Sequence, residues 1–313
     1  MPLLKTASEL RCAIVLAGGD GQRLRPLTRR ITGFEIPKQF CPILGNETLL
    51  SQTRRRIALM FKPAETMLLL NGEHEDLYAS HVGGLPETNL LVQPANRGTA
   101  AGILYSLLRA ADRGAETIAF FPSDHYISDD ERFMRHVEVA FDAVHEMPGL
   151  TVMLGIPAEG PEVQYGWIDP AGSTSMPTPF AFHGLRGIRR FWEKPSPAIA
   201  DQLFRRGCLW NSFVMVSGVS NMLELFRRSV PELYSKFDAV WTSLGTRSEH
   251  RVMRSLYPNL PNVGFSTEIL ERFSPEMGVL PIRGIEWSDL GEPARVMEIL
   301  GRRGLSPAWL QQA

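Results

Sequence analysis

Short apolar runs alternate with longer amphipathic stretches through the first half of the chain. Residues 13–16, 67–70, 90–92, 118–121 and 152–155 consist almost wholly of apolar residues. Continuous runs of this length, bounded by polar segments, are typical of strands that are buried on both faces. We therefore predict five buried strands.

Between these runs, apolar residues recur at helical spacing. The pattern predicts helices over 49–61, with Thr48 as the cap, over 99–113 and over 130–146. Strands that alternate with helices are typical of a sheet covered by helices on both faces. We expect an α/β fold with a Rossmann-like, mostly parallel sheet.

The pattern changes in the second half. Residues 165–192 are rich in glycine, proline and aromatic residues, and we interpret them as loops and strands that form a lid over one end of the sheet. Helical spacing resumes over 221–228 and 232–244, and a short strand is predicted near 279–282. No hexapeptide repeat is visible, so we predict no β-helix domain.

Composition excludes several classes of protein. With 313 residues, 44% hydrophobic content and a formal net charge of −1, the chain has no general electrostatic reason to bind nucleic acid or an anionic membrane. No apolar run approaches membrane-spanning length and no signal peptide is visible, so we expect a cytoplasmic protein. The cysteines, Cys12, Cys41 and Cys208, form no Cys-x-x-Cys pair and are interpreted as reduced core thiols.

A glycine cluster follows the first predicted strand. Leu16 ends that strand, and Gly18, Gly19 and Gly21 come next, at the edge where open α/β sheets bind ligands. Because glycine has no side chain, backbone N–H groups there can approach phosphate oxygens closely. The cluster predicts a phosphate-binding loop.

Basic residues near the loop support this interpretation, since Arg23 and Lys38 supply positive charge. A dinucleotide-binding fingerprint would need a third glycine where Leu24 stands, and a P-loop would need Gly-Lys-Ser/Thr at the start of a helix. Neither pattern is present, which disfavours a Rossmann dehydrogenase.

A carboxylate follows another strand, in Pro122-Ser123-Asp124-His125. Beside a phosphate-binding loop, Asp124 can hold Mg²⁺, which usually takes one or two protein carboxylates together with phosphates and water. Alternatively, Asp124 is a turn or helix-cap residue, although Asp129 or Asp130 can fill the cap role instead.

Taken together, Gly-Gly-x-Gly-x-Arg-Leu-x-Pro-Leu-Thr and the later Pro-Lys-Gln-Phe resemble the sugar nucleotidyltransferases, and among them the mannose-1-phosphate guanylyltransferases. The resemblance runs from about Ala13 to Gly291. It implies transfer of a nucleotidyl group from a nucleoside triphosphate to a sugar 1-phosphate, with Mg²⁺ as cofactor. Arg23 and Lys38 match the positions that face the triphosphate, and Asp124 matches the metal position.

The resemblance also implies a base-recognition segment. It contains Gln93, Arg97, Gly98 and Thr99, but Gln93 replaces a glutamate and Gly98 an asparagine of the guanylyltransferase pattern. An amide can donate and accept, so Gln93 by itself leaves guanine, thymine and uracil open. Alternatively, the segment is a loop and helix cap around Thr99.

Three further motifs imply a sugar-phosphate site: Tyr-Gly-Trp-Ile, Phe-Trp-Glu-Lys-Pro and Leu-Trp-Asn-Ser. Phe213, where relatives often have glycine, is expected to narrow the sugar pocket. The residues implied to bind the sugar phosphate are Tyr165, Gly166, Glu193, Lys194 and Asn211.

One departure concerns the metal. Relatives bring a second aspartate from the C-terminal region, whereas residues 263–267, including Gly264 and Ser266, contain none. Phosphate oxygens and water complete the coordination, or Asp289 or Glu268 substitutes, or turnover is impaired.

We divide the chain into a nucleotidyltransferase domain over 1–225 and a segment over 226–313 that packs on it and completes the sugar and metal side. The expected partners are a nucleoside triphosphate and a sugar 1-phosphate, with a homodimer left open. GTP and mannose 1-phosphate are favoured. The alternatives are a glucose-1-phosphate enzyme that uses dTTP or UTP, and a regulatory paralogue that binds nucleotide sugar with weak turnover.

Overall fold

A central mixed sheet organises the chain. The computed structural model describes residues 10–172 and 184–311, and in that part nine strands form the sheet in the order β3-β2-β1-β4-β9-β6-β10-β8-β7, while β5 and β11 pair separately. The strands are Arg11–Leu16 (β1), Thr66–Asn71 (β2), Leu90–Gln93 (β3), Thr117–Pro122 (β4), Tyr126–Ile127 (β5), Thr151–Pro157 (β6), Gly166–Pro170 (β7), Arg186–Glu193 (β8), Leu209–Gly218 (β9), Met277–Pro281 (β10) and Trp287–Ser288 (β11).

The strand directions bear out a mostly parallel α/β sheet. Strands β3, β2, β1 and β4 pair in parallel, as do β6 and β10. Only β8 and β9 run against the others in the described sheet, since β9 is antiparallel to β4 and β6, and β8 to β10 and β7. The five strands predicted for the first half are therefore present and share one direction.

Helices cover the sheet. Their bounds are Arg25–Thr32 (α1), Leu49–Ile57 (α2), Glu75–Tyr78 (α3), Gly98–Asp112 (α4), Asp130–Glu146 (α5), Pro197–Arg205 (α6), Val219–Ser229 (α7), Pro231–Lys236 (α8), Asp238–Trp241 (α9), Glu249–Leu256 (α10), Glu271–Phe273 (α11) and Pro293–Arg303 (α12). Thr48 caps α2, as predicted, because its Oγ1 accepts from the N–H of Ser51. Asp129 caps α5 in the same way, which leaves Asp124 free of that role.

The single helix predicted over 232–244 is wrong. The chain forms two short helices, α8 and α9, that meet at Phe237. Phe237 has a ψ of −7°, far from the helical value of about −42°, so the hydrogen-bond ladder is interrupted there. Its ring stays buried, and the apolar spacing that suggested one helix is thus satisfied by two.

Both faces of the sheet are buried, and alternate residues of one strand enter different cores. In β4, Ile118 and Phe120 belong to one apolar cluster, while Ala119 and Phe121 belong to the cluster on the other face. This alternation is what helices on both faces require. The three cysteines are buried free thiols, and burial raises the pKa of Cys12 to about 12.

The last quarter of the chain returns to the sheet and to the first loop. Strand β10 inserts between β6 and β8, and Leu290 and Val296 pack in a third apolar cluster with Leu24 and Leu27. The 226–313 segment therefore contacts residues beside the glycine cluster. The domain boundary at 225 stays a prediction, and much of the predicted lid, residues 173–183, lies outside the described residues.

Candidate active site

A cavity of about 480 Å³ opens where parallel strands end. The last residues of β1 and β3, Leu16 and Gln93, line it together with Pro122 at the end of β4. Parallel strands share one carboxyl edge, so the residues that follow each strand converge there. The volume falls within the range of roughly 300–1,000 Å³ that small-molecule sites occupy.

Most residues predicted for the site line this cavity. Four of them do not: Gly21, Arg23, Lys38 and Arg97 lie behind its wall or beside it. The predicted residues that line it are Leu16, Gly18, Gly19, Gln93, Gly98, Thr99, Asp124, Tyr165, Gly166, Glu193, Lys194, Asn211 and Asp289.

The glycine loop is held from behind by a side-chain amide. Gln39 Nε2 donates to the carbonyl oxygens of Ala17, at 3.2 Å, and Gly19, at 2.7 Å. A Cβ on Gly19 would meet no atom within 4 Å, whereas a Cβ on Gly18 would lie 2.6 Å from Gln93 Nε2. The space beside Gly19 is therefore open, in the direction that a side chain would take.

Behind the cavity wall, the Lys38 side chain contacts both Asp124 and Asp289. Its side chain is 9% exposed, its Nζ lies 3.2 Å from Asp124 Oδ2, and it also donates to the backbone carbonyl of Asp289. Gly21, with a φ of +55°, allows this packing because a Cβ there would lie 3.0 Å from the backbone nitrogen of Lys38. The lysine thus places positive charge against the first acid of the cavity.

Three hydrogen bonds hold the carboxylate of Asp289, and all three reach the same oxygen, Oδ1. It accepts from Arg295 Nη1 at 2.7 Å, the Tyr165 hydroxyl at 3.1 Å and the N–H of Gly291 at 2.8 Å. Burial works to raise the pKa of Asp289, but Lys38, His125 and Arg295 act with the N–H of the following glycine to lower it, and the pKa lies below its ordinary value. Asp289 is thus held as an anion through Oδ1, while Oδ2 accepts no hydrogen bond in the described part of the chain, so Asp289 stays a predicted candidate for the second metal ligand.

Arg23 is more remote than the sequence suggested. Its Nη2 lies 3.6 Å from Asp289 Oδ2, and its side chain is 51% exposed. The guanidinium stands at the rim beside Gly291 rather than on the cavity wall.

Of the predicted metal candidates, Asp124 and Asp289 line the cavity. Glu268, the other sequence candidate, faces Arg272 at 3.6 Å and does not line the cavity. Across residues 10–172 and 184–311, no cluster of three or more His, Cys, Asp or Glu side chains could hold a metal. Asp124 can supply one ligand, which fits Mg²⁺ bound mainly by ligand phosphates and water.

At the end of the cavity that is predicted to bind the base, called the base end below, glycine is required at the start of α4. Gly98 has a φ of +78°, and a Cβ there would clash with the backbone of Val263, 2.9 Å from its nitrogen and closer still to its carbonyl oxygen. Thr99 is not a cap, because α4 begins at Gly98 with Arg97 as its N-cap residue, and Thr99 Oγ1 instead accepts from the N–H of Phe265. The segment is anchored to the C-terminal part of the chain.

The end of the cavity that is predicted to bind the sugar phosphate, called the sugar end below, carries the acid Glu193 and the amide Asn211. Asn211 Oδ1 accepts from the N–H of Phe213 at 3.0 Å, which leaves its amide nitrogen as a donor. Burial raises the pKa of Glu193, opposed by Lys194 and by a hydrogen bond with Ser266. Ser266, in the segment that lacks the family aspartate, therefore pairs with the sugar-side acid.

Backbone strain is concentrated at this site. Of the non-glycine residues in the described ranges, only Lys194, Phe213 and Leu290 have positive φ, at 45°, 60° and 46°. The first two line the cavity, and Leu290 follows Asp289. Such conformations cost about 1–3 kcal/mol each and cluster at functional sites.

Sequence reasoning missed the residues that support the site from a distance. Gln39 lies in the Pro-Lys-Gln-Phe motif, which gave a signal without a role. Arg295, which binds Asp289, and Tyr257, which contacts Gln93 at 3.1 Å, lie in no motif. Only the fold brings them to the cavity.

The fold and site define a class. The chain matches the nucleotidyl transferase family over residues 12–301 and belongs to it. In that part of the chain which the structure describes, no helix is both long and apolar enough to cross a membrane.

Two curated relatives and one solved structure indicate which members of this family the chain is similar to. AlgA, an alginate biosynthesis protein of Pseudomonas aeruginosa, is 28% identical over 91% of this chain, and mannose-1-phosphate guanylyltransferase 2 of Escherichia coli O157:H7 is 27% identical over 89%. The chain spans 58% of the length of each. A solved structure described as a mannose-1-phosphate geranyltransferase from Thermus thermophilus is 30% identical, with a TM-score of 0.76, 90% of this chain covered and 76% of that one.

Proposed function

We propose that the chain transfers a nucleotidyl group from a nucleoside triphosphate, with GTP favoured, to a sugar 1-phosphate, with mannose 1-phosphate favoured. The observation that carries this is one cavity lined by the glycine loop, by Asp124 and by the acid and amide of the sugar end. Relatives named for mannose-1-phosphate guanylyltransferase support the choice of substrates.

The reaction needs no protein nucleophile. A phosphate oxygen of the sugar 1-phosphate attacks the α-phosphorus of the triphosphate, the new P–O bond forms in line, and pyrophosphate leaves. Because two polyanions must meet, the protein's task is to position them and to neutralise charge. Gly18 and Gly19 offer backbone donors to the triphosphate, while Lys38 places an ammonium group behind Asp124.

The sugar end orients the attacking group. Glu193 can accept from sugar hydroxyls, and the free amide nitrogen of Asn211 can donate to them. Lys194, whose side chain is 56% exposed, is available to pair with the sugar phosphate. Tyr165 contributes its ring as wall, because its hydroxyl is committed to Asp289.

Asp124 would hold Mg²⁺ together with phosphate oxygens. When bound there, the ion would supply charge neutralisation between the phosphates. Arg23 remains a proposed triphosphate contact from the rim, and Arg97, Gly98 and Thr99 remain the proposed base loop.

The test is pyrophosphate release by the purified chain with Mg²⁺. GTP, UTP, dTTP and ATP are each paired with mannose 1-phosphate or glucose 1-phosphate, and reactions without sugar phosphate serve as the control. We expect release to be fastest with GTP and mannose 1-phosphate and to depend on the sugar phosphate. Absence of release with every pair would contradict the proposal.

A second candidate is a nucleotide-sugar-binding protein with weak turnover. It is favoured by Ser266, which stands in the segment that lacks the family aspartate and hydrogen-bonds with Glu193 instead. Tight binding of GDP-mannose without pyrophosphate release in the same assay would support it.

A further inference from the structure

Tyr257 lies directly behind the base end of the cavity. The residue is fully buried, and its hydroxyl donates to Gln93 Oε1 at 3.1 Å. Gln93 itself is buried and lines the cavity, whereas Tyr257 does not. The tyrosine can therefore influence a ligand only through Gln93.

This hydrogen bond fixes which end of the carboxamide faces the ligand. Oε1 is taken by Tyr257, and Nε2 points toward Gly18, where a Cβ would lie 2.6 Å from it. Throughout the described residues, no protein acceptor takes a hydrogen bond from Nε2. Gln93 thus presents a donor to the cavity.

The segment around Tyr257 is itself anchored to the base loop. Arg97 Nε donates to the carbonyl oxygen of Tyr257 at 3.1 Å. The N–H of Ala100 donates to the carbonyl oxygen of Val263 at 3.2 Å. These backbone contacts hold the ring in register with Gln93. Burial strengthens the hydrogen bond between the Tyr257 hydroxyl and Gln93, because a hydrogen bond is electrostatically stronger inside a protein than in water.

We propose that Tyr257 is a positioning residue for nucleotide selectivity. By holding Nε2 toward the base, it makes the site favour bases with a carbonyl oxygen at that edge, such as guanine, over bases with an amino group there, such as adenine. A donor that faces an amino group stays unpaired, which costs binding free energy. This inference rests on the proposed function, since it names the recognition chemistry of the same site.

Equilibrium binding of GTP and of ATP to the full chain, measured by calorimetry, tests it without requiring turnover. We expect Tyr257→Phe to lower the preference for GTP over ATP about tenfold, because the carboxamide can then rotate. The matched control is Tyr105→Phe, which removes another buried hydroxyl, one that donates to Glu249 at 2.6 Å. That variant is expected to keep the preference within twofold.

A second variant keeps the proposal testable should Tyr257→Phe fail to fold. Gln93→Leu, with Tyr257 intact, is expected to abolish the preference, and adding Tyr257→Phe to it should change nothing further. An unchanged preference in either single variant overturns the inference, as does an equal loss in Tyr105→Phe. Equal binding of GTP and ATP by the unaltered chain overturns the inference alone, whereas binding of neither also overturns the proposed function.

Discussion

The phosphate side and the base side of the cavity are held in different ways. On the phosphate side, Gln39 binds the glycine loop and Ser123 Oγ donates to the carbonyl of Leu16 at 2.8 Å, so these hydrogen bonds to the loop and the end of β1 come from the first 125 residues. On the base side, the loop after β3 is fastened to residues 257–265, more than 150 positions away.

This difference separates what local motifs encode from what the fold supplies. The glycine loop and its Gln39 support come from nearby sequence, and the C-terminal segment reaches this side through Asp289, whose backbone carbonyl accepts from Lys38. The base side depends on a long-range contact that forms only when the C-terminal segment has docked. We therefore expect substitutions in the glycine loop and at Lys38 to act mainly on ligand binding and catalysis, and those on the base side to act on binding and stability together.

Lys38→Ala should have the largest effect on catalysis. Removing the ammonium beside Asp124 is expected to lower kcat/KM by about 10²–10³, the usual loss when one charge-stabilising group is deleted. Pyrophosphate release measures the change. The control is Lys62→Ala, which removes an exposed lysine that does not line the cavity; an equal loss in both variants would argue against a specific role for Lys38.

Arg295→Ala tests the C-terminal support of Asp289. The arginine and the aspartate are only 12% and 13% exposed, so breaking the pair should cost about 3 kcal/mol of unfolding free energy. Arg302→Ala on the same helix is the matched control, since that side chain is 42% exposed and solvent screens its ion pairs. Denaturant unfolding compares them, and similar losses would show that Asp289 does not depend on Arg295.

Gly98→Ala should loosen the base side. Strain at its positive φ combines with a clash between the new Cβ and the backbone of Val263, and we expect a loss of about 2 kcal/mol in stability. Gly114→Ala shares the strain, with a φ of +76°, but meets no atom within 4 Å and should cost about 1 kcal/mol. Weakened GTP binding is expected only for Gly98→Ala, so weakening in both would contradict the contact with Val263.

Gly19→Ala should leave the fold intact and weaken the binding of GTP. A Cβ at this position meets no protein atom, so the melting temperature should be unchanged, while GTP affinity should fall about tenfold because the methyl occupies the approach of a phosphate. Gly45→Ala, also in open space, is the control. Unchanged GTP affinity in Gly19→Ala would remove the loop from the binding site.

The same division explains how far sequence reasoning reached. The strand ends, the glycine loop and Asp124 could be predicted because parallel strands deliver their following residues to one edge. The motif places Arg97 at the base, yet its side chain donates to Tyr257 and Pro258, since a side chain's direction depends on its distant neighbours. Tyr257 and Arg295 lack any local signature, so only the docking of the C-terminal segment reveals them.

A crystal structure of the chain with bound GTP tests the central claim most directly. We expect the phosphates to lie against the backbone N–H groups of Gly18 and Gly19, and the base to lie against Gln93. GTP bound elsewhere, with the glycine loop free of ligand, would contradict it.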